Sequence, residues 1–156
     1  MNATPDNAPS VSECSGAAGD CPLRQAIDKS NHASTDDVIV VPAGHYMLTI
    51  TGATENNDQT GDLDVNMAAR SVTITGAGAR STTVDATGLG DRVLQIVAGT
   101  DTMSGLTITG GSPPLGNSGG GIENDAALTL TDSTVTGNAT ATSYAGVGIA
   151  TRLPLR

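Results

Sequence analysis

One phrase recurs along the chain and limits what it can fold into. It reads MLTITG over Met47–Gly52, SVTITGAG over Ser71–Gly78, GLTITGG over Gly105–Gly111 and ALTLTDSTVTGN over Ala127–Asn138. Each copy alternates an apolar residue with Thr and stops at Gly or Asn. It therefore has the period of a strand and the punctuation of a turn. A short strand–turn unit cannot bury its apolar side alone, so repetition predicts units stacked on one another. Thr107 and Thr134 are separated by the same interval as Gly119 and Gly146, so the Gly-x-Gly-Ile phrases keep register with the Thr-x-Thr phrases.

Period-two alternation turns the aliphatic residues inward and Thr outward. The predicted core is Val72 and Ile74, Leu106 and Ile108, and Leu128 and Leu130, with Gly76, Gly110, Gly137 and Asn138 at corners. The chain has no Phe or Trp, and its only aromatic residues are Tyr46 and Tyr144. A core of Val, Ile, Leu, Ala and Met suits layers of stacked aliphatic side chains. The fold class expected is all-β, a right-handed parallel β-helix (a solenoid) with a short N-terminal capping helix.

That helix is predicted in CPLRQAIDKSN. Pro22 suits its first position, Leu23, Ala26 and Ile27 share a face, and Asn31 supplies a stop. A helix this short needs a surface to cover, and the open end of a solenoid provides one. At 156 residues the chain reads as one domain. Residues 1–37 are a lead-in and helical cap, 38–149 the coils, and 150–156 an irregular tail.

Net charge is −9, and Lys29 is the sole lysine. Without a basic patch to neutralise phosphates, nucleic acid is excluded as a partner, and anionic membrane surfaces are disfavoured. No apolar run reaches membrane-spanning length, so no membrane insertion is expected. The polar start, Met1–Asp6, carries no apolar leader, so export implies a leader already removed. Cys14 and Cys21 flank a short Gly- and Ala-rich segment, which in an oxidising compartment predicts a local disulfide stapling the N-terminal region.

The residues from about 10 to 149 resemble the first coils of bacterial pectin-lyase-like surface proteins. They are most similar to the group whose N-terminal domain is named for a Cys-Ser-Leu-Arg-Glu-Ala signature. Here that signature reads CPLRQAI, Cys21 to Ile27. VIVVPAGHYMLTITG, TGDLDV, VTITGAG, TVDATGLGDRVLQI, GLTITGG and GGGIEN follow in order. Pro22 and Gln25 stand where the signature has Ser and Glu. The resemblance implies a secreted or cell-surface protein, apparently truncated, because such proteins run on through many more coils.

Polysaccharide hydrolases on such a scaffold use clustered carboxylates, and lyases use a basic residue with Ca²⁺. Asp85, Asp91 with Arg92, Asp101, Glu123, Asp125 and Asp132 are the candidates for such chemistry. They form no paired motif; Asp91, Asp101 and Asp132 follow Gly or Thr, and all read as solvated residues at turns. Lys29 belongs to the cap helix, His32 follows it and His45 falls in a turn. No catalytic residue is therefore assigned. The loop ENNDQTGDLD brings Asp58, Asp62 and Asp64 close in sequence with Glu55, Asn56 and Asn57. It reads either as a Ca²⁺ site of hard oxygen ligands or as an acidic solvated loop. The Thr-x-Thr phrases raise ice binding, but Thr107 and Thr109 over Thr134 and Thr136, with Thr129 and Thr131 over Thr102 and Ser104, make a narrow array.

The function expected is a non-enzymatic extracellular or cell-surface module for adhesion, glycan contact or display. Its partner would be a polysaccharide or cell-surface glycan. The alternatives are a polysaccharide-active enzyme or a fragment of one, and a unit that self-associates through its open C-terminal end near Val147 and Ile149.

Overall fold

The computed structural model describes residues 6, 21–141 and 146–152. Cys14 lies outside them, and so does most of the predicted lead-in. Among the described residues one helix, α1 (Leu23–His32), precedes twelve strands. The first sheet holds β1 (Asp37–Val41), β4 (Val72–Gly76), β7 (Thr100–Ser104) and β10 (Ala127–Thr131), in that order. The second holds β2 (Gly44–Met47), β5 (Thr82–Asp85), β8 (Thr107–Thr109) and β11 (Thr134–Val135). The third holds β3 (Leu63–Asn66), β6 (Leu94–Ala98), β9 (Ile122–Asn124) and β12 (Ile149–Thr151). Every pairing is parallel, and each sheet takes every third strand.

This corrects the expected fold class. The chain is α/β rather than all-β, because α1 belongs to the core: Leu23 and Ile27 are buried with the strand residues. Three separate four-stranded parallel sheets replace the solenoid, the right-handed parallel β-helix, and none closes on another. The repeat phrase misleads because it encodes a strand face and a stop, whereas the relation between sheets depends on the unequal segments that join them.

Within the sheets the predicted faces hold. Val72, Ile74, Leu106 and Ile108 are buried, while Leu128 and Leu130 pack against the core from its outermost strand. Thr134 pairs with Thr107 and Ile149 with Ile122, as the shared interval predicts. Gly105 has φ +68° and lies against Gly76 so closely that a Cβ there would meet the Gly76 carbonyl. Gly110, at φ +80°, presses on Thr87 and the Asp85 carboxylate. Only glycine meets both demands at once. Asn138 is different: its side-chain amide donates to the Ile108 carbonyl at 3.1 Å and accepts from the Gly111 amide at 3.0 Å.

Pro22 caps α1 from outside rather than beginning it, and the helix runs past Asn31 to His32. Asn31 instead acts on the free edge of β3. Its Nδ2 donates to the Asp64 carbonyl at 2.7 Å, and its Oδ1 accepts from the Asn66 amide at 2.9 Å. One side-chain amide thus does what a neighbouring strand would do. Arg70 closes the helix by donating to the Ser30 and Asn31 carbonyls. At the opposite end, among the described residues, Val147 is 50% exposed and Ile149 43%. The predicted irregular tail is ordered as strand through Thr151.

Candidate functional site

Two regions stand out, and they have opposite chemistry. The first is a row of buried charged residues along the third sheet. Asp64, Gln95 and Glu123 occupy one register on β3, β6 and β9. All three are buried, so this face does not meet solvent. Burial requires partners, and two arginines supply them. Arg24 on α1 bonds Asp6 at 2.8 Å and donates to the carbonyls of Asp62 and Gly61 at 2.8 and 2.6 Å. It also lies 3.5 Å from Asp58. Arg92 bridges Asp62 at 3.2 Å and Glu123 at 2.7 Å, and donates to Gln95 Oε1 at 2.7 Å. Glu123 gathers two more donors, Arg152 at 2.7 Å and the Ser118 hydroxyl at 2.8 Å.

The acidic loop folds back into this row. The Asp58 amide donates to the Asp64 carboxylate at 3.0 Å, and the Asp64 amide donates to Asp58 at 3.2 Å. Glu55 accepts from the amides of Asn57, Gln59 and Thr60 at 2.8 Å each, which fixes the loop's outer turn. Burial pushes the Asp58 carboxyl up to about 9 against the pull of Arg24. Asp62 rises to about 8, from burial and the neighbouring Asp64 and Asp91, with Arg92 opposing. Asp64 rises to about 7, again from burial, opposed by the Asp58 amide. At neutral pH Asp58 and Asp62 therefore hold protons, while Arg24 and Arg92 retain Asp6 and Glu123 as close partners.

The three aspartates predicted to bind Ca²⁺ are thus brought together, but around guanidinium and amide donors. One oxygen each of Asp58, Asp64 and Asp91 is buried without a hydrogen bond. Among the described residues, no three His, Cys, Asp or Glu side chains converge on a point that could hold a metal ion. Of the residues weighed for acid–base work, Asp91, Asp101 and Glu123 are buried rather than solvated. Asp101 accepts from the Val72 amide at 2.9 Å, and burial raises its carboxyl to about 6. Asp85 is partly buried and bonds the more exposed His45, which lies in β2 rather than a turn, at 2.8 Å. Burial raises its carboxyl, but hydrogen bonds from Thr87 and His45 outweigh that and lower it. Asp125 accepts from Gln95 at 2.9 Å, and Asp132 is exposed. A buried protonated carboxyl is a general acid only where substrate reaches it. Asp58, Asp62 and Asp91 are each at most 1% exposed. A void of about 20 Å³ lies elsewhere, among Leu23, Ile27, Leu63 and other core aliphatics, and holds no more than a water.

The second region is the outer face of the first sheet. Register places Val38, Thr73, Thr102 and Thr129 in one outward row and Val40, Thr75, Ser104 and Thr131 in the next. None of these eight residues is charged, in a chain of net charge −9. Val38 and Val40 are 71% and 72% exposed. The inward partners Val72, Ile74 and Met103 are buried, so the alternation holds across the sheet. The second sheet is interrupted where His45 pairs with Asp85. Sequence reading found the Thr102–Ser104 and Thr129–Thr131 rows but missed Thr73, Thr75, Val38 and Val40. Their signal was available: V-I-V, T-I-T, T-M-S and T-L-T share one alternation.

No family model matches this chain, no curated protein matches it, and no solved structure matches its fold.

Proposed function

We propose that this protein is a non-enzymatic extracellular or cell-surface module that adheres to a neutral, hydroxyl-bearing surface. The outer face of the first sheet makes the contact. The observation that carries this reading is the absence of charge from the eight residues of these two outward rows, against a net charge of −9. Acidic proteins usually spread carboxylates over exposed strands, and an uncharged patch marks a place where contact is made. Of the carboxylates an enzyme could use, Asp91, Asp101 and Glu123 are buried, and Glu123 is held by Arg92, which weighs against the polysaccharide-cleaving alternative.

The test is retention on insoluble neutral polysaccharides and a glycan array, with acidic polysaccharides incubated alongside, with and without Ca²⁺. Retention on a neutral phase that resists high salt supports the reading, because the eight residues of the two outward rows carry no charge for salt to screen. Cleavage of an acidic polysaccharide sinks it. A second reading rests on the exposed Val147 and Ile149 and on the free edges of β10, β11 and β12. These edges suit association of two copies end to end. Light scattering during size exclusion tests it, and a monomer at high concentration refutes it.

A further inference from the structure

We propose that the neutral surface engaged by the first sheet is ice, an inference that rests on the adhesive reading just given. Four parallel strands fix the outward residues on a grid. Neighbouring strands are about 4.8 Å apart, and alternate residues along a strand are about 6.7 Å apart. Both intervals lie close to the oxygen repeats on a prism face of hexagonal ice. The grid is two residues wide and four strands long, about 14 Å in its longer direction. The backbone ladder holds it, so little ordering is left for the moment of binding.

The side chains suit a water lattice better than a sugar. Thr73, Thr75, Thr102, Thr129 and Thr131 each present a hydroxyl and a methyl, and Ser104 a hydroxyl alone. Among the described residues, none of these six hydroxyls is engaged by a hydrogen bond to the protein. On the second sheet, by contrast, the Thr107 hydroxyl donates to the Ala79 carbonyl at 2.5 Å. A hydroxyl without a protein partner can take a lattice position as donor or acceptor, and the methyl fills the space between lattice waters. Val38 and Val40 keep the shape of Thr and lose the hydroxyl, so the first strand continues the grid sterically. Sugar rings are commonly gripped by aromatic faces, and no aromatic residue stands on this one.

The experiment pairs ice-affinity partitioning and recrystallisation inhibition with the neutral-polysaccharide retention above. Wild type is expected to enter the ice fraction and slow recrystallisation. Thr102→Lys, which raises a charge at the centre of the grid, loses both. Thr134→Lys, an exposed change on the second sheet, loses neither. Val38→Thr with Val40→Thr adds two hydroxyls and strengthens inhibition. Circular dichroism reports that each variant is folded. Exclusion of wild type from ice, with polysaccharide retention that Thr102→Lys abolishes, overturns ice and leaves the adhesive reading. Exclusion from ice and from every polysaccharide overturns both. Equal ice binding by wild type and Thr102→Lys overturns the assignment of the face.

Discussion

Raising the pH should weaken this protein, and the buried carboxyls set the size of the effect. Asp58, Asp62, Asp64 and Asp101 have folded values of about 9, 8, 7 and 6, all above the ordinary aspartate range. Between pH 4 and those values the folded chain holds protons that the unfolded chain releases, so stability falls as pH rises. Their contribution is fully present below about pH 4, declines from there as pH rises, and is gone once pH has passed the folded values of about 6, 7, 8 and 9 in turn. Each retained proton changes stability by roughly 1.4 kcal/mol per pH unit. A single fully retained proton already removes about 3 kcal/mol between pH 5 and pH 7. For a domain of this length that lowers Tm by about 6–12 °C. Asp85, held low by Thr87 and His45, has the opposite sign, but its contribution is lost only in more acidic solution. Urea unfolding at pH 5, 6 and 7 and constant ionic strength, followed by circular dichroism, measures the slope. Asp58→Asn with Asp62→Asn should flatten it. A stability that is level or rises from pH 5 to pH 7 refutes the reasoning.

Other consequences follow from the same contacts. Arg92→Met strips Asp62 and Glu123 of a shared partner and should cost about 3 kcal/mol, toward the low end for a broken buried pair, because Asp62 already holds a proton and Glu123 keeps Arg152 and Ser118. A loss below 1 kcal/mol in urea unfolding would remove the row from the list of stabilising features. Asn31→Ala frees the Asp64 carbonyl and Asn66 amide on the edge of β3 and should cost about 1–2 kcal/mol. Hydrogen exchange of the Asn66 amide should accelerate in that variant, and unchanged protection would contradict the edge-pairing role. Calcium should leave Tm unshifted, since Asp58 Oδ1 and Asp62 Oδ2 already meet guanidinium groups. A rise that a chelator reverses and Asp62→Ala abolishes would contradict this and place a cation among these aspartates.

What the sequence made legible was local. Alternation placed Val72, Ile74, Leu106 and Ile108 inside and gave the pairing of Thr107 with Thr134, because a strand's faces follow from a period of two. Leu23 and Ile27 revealed the helix's buried face for the same reason. The class of the fold was not legible, since nothing in a strand phrase states whether sheets join or stay separate. Nor was the arginine row. Arg92 meets Asp62 across 30 residues and Arg24 meets the Asp62 carbonyl across 38, and no periodic signal spans such gaps. Charged residues beside glycine corners read as solvated, whereas Asp91, Asp101 and Glu123 turn inward once the chain supplies donors. Val38 and Val40 were hidden by the run VIVV, whose apolar residues suggest burial on both sides.

The central claim is that function resides on the uncharged face of the first sheet and not among the buried carboxylates. Its most direct test is the fraction of wild type, Thr102→Lys and Thr134→Lys retained by ice and by a panel of insoluble neutral polysaccharides, at low and high salt. The account predicts that at least one neutral phase retains wild type and Thr134→Lys independently of salt and releases Thr102→Lys. Failure of every phase to hold wild type, or equal retention of Thr102→Lys, would contradict it.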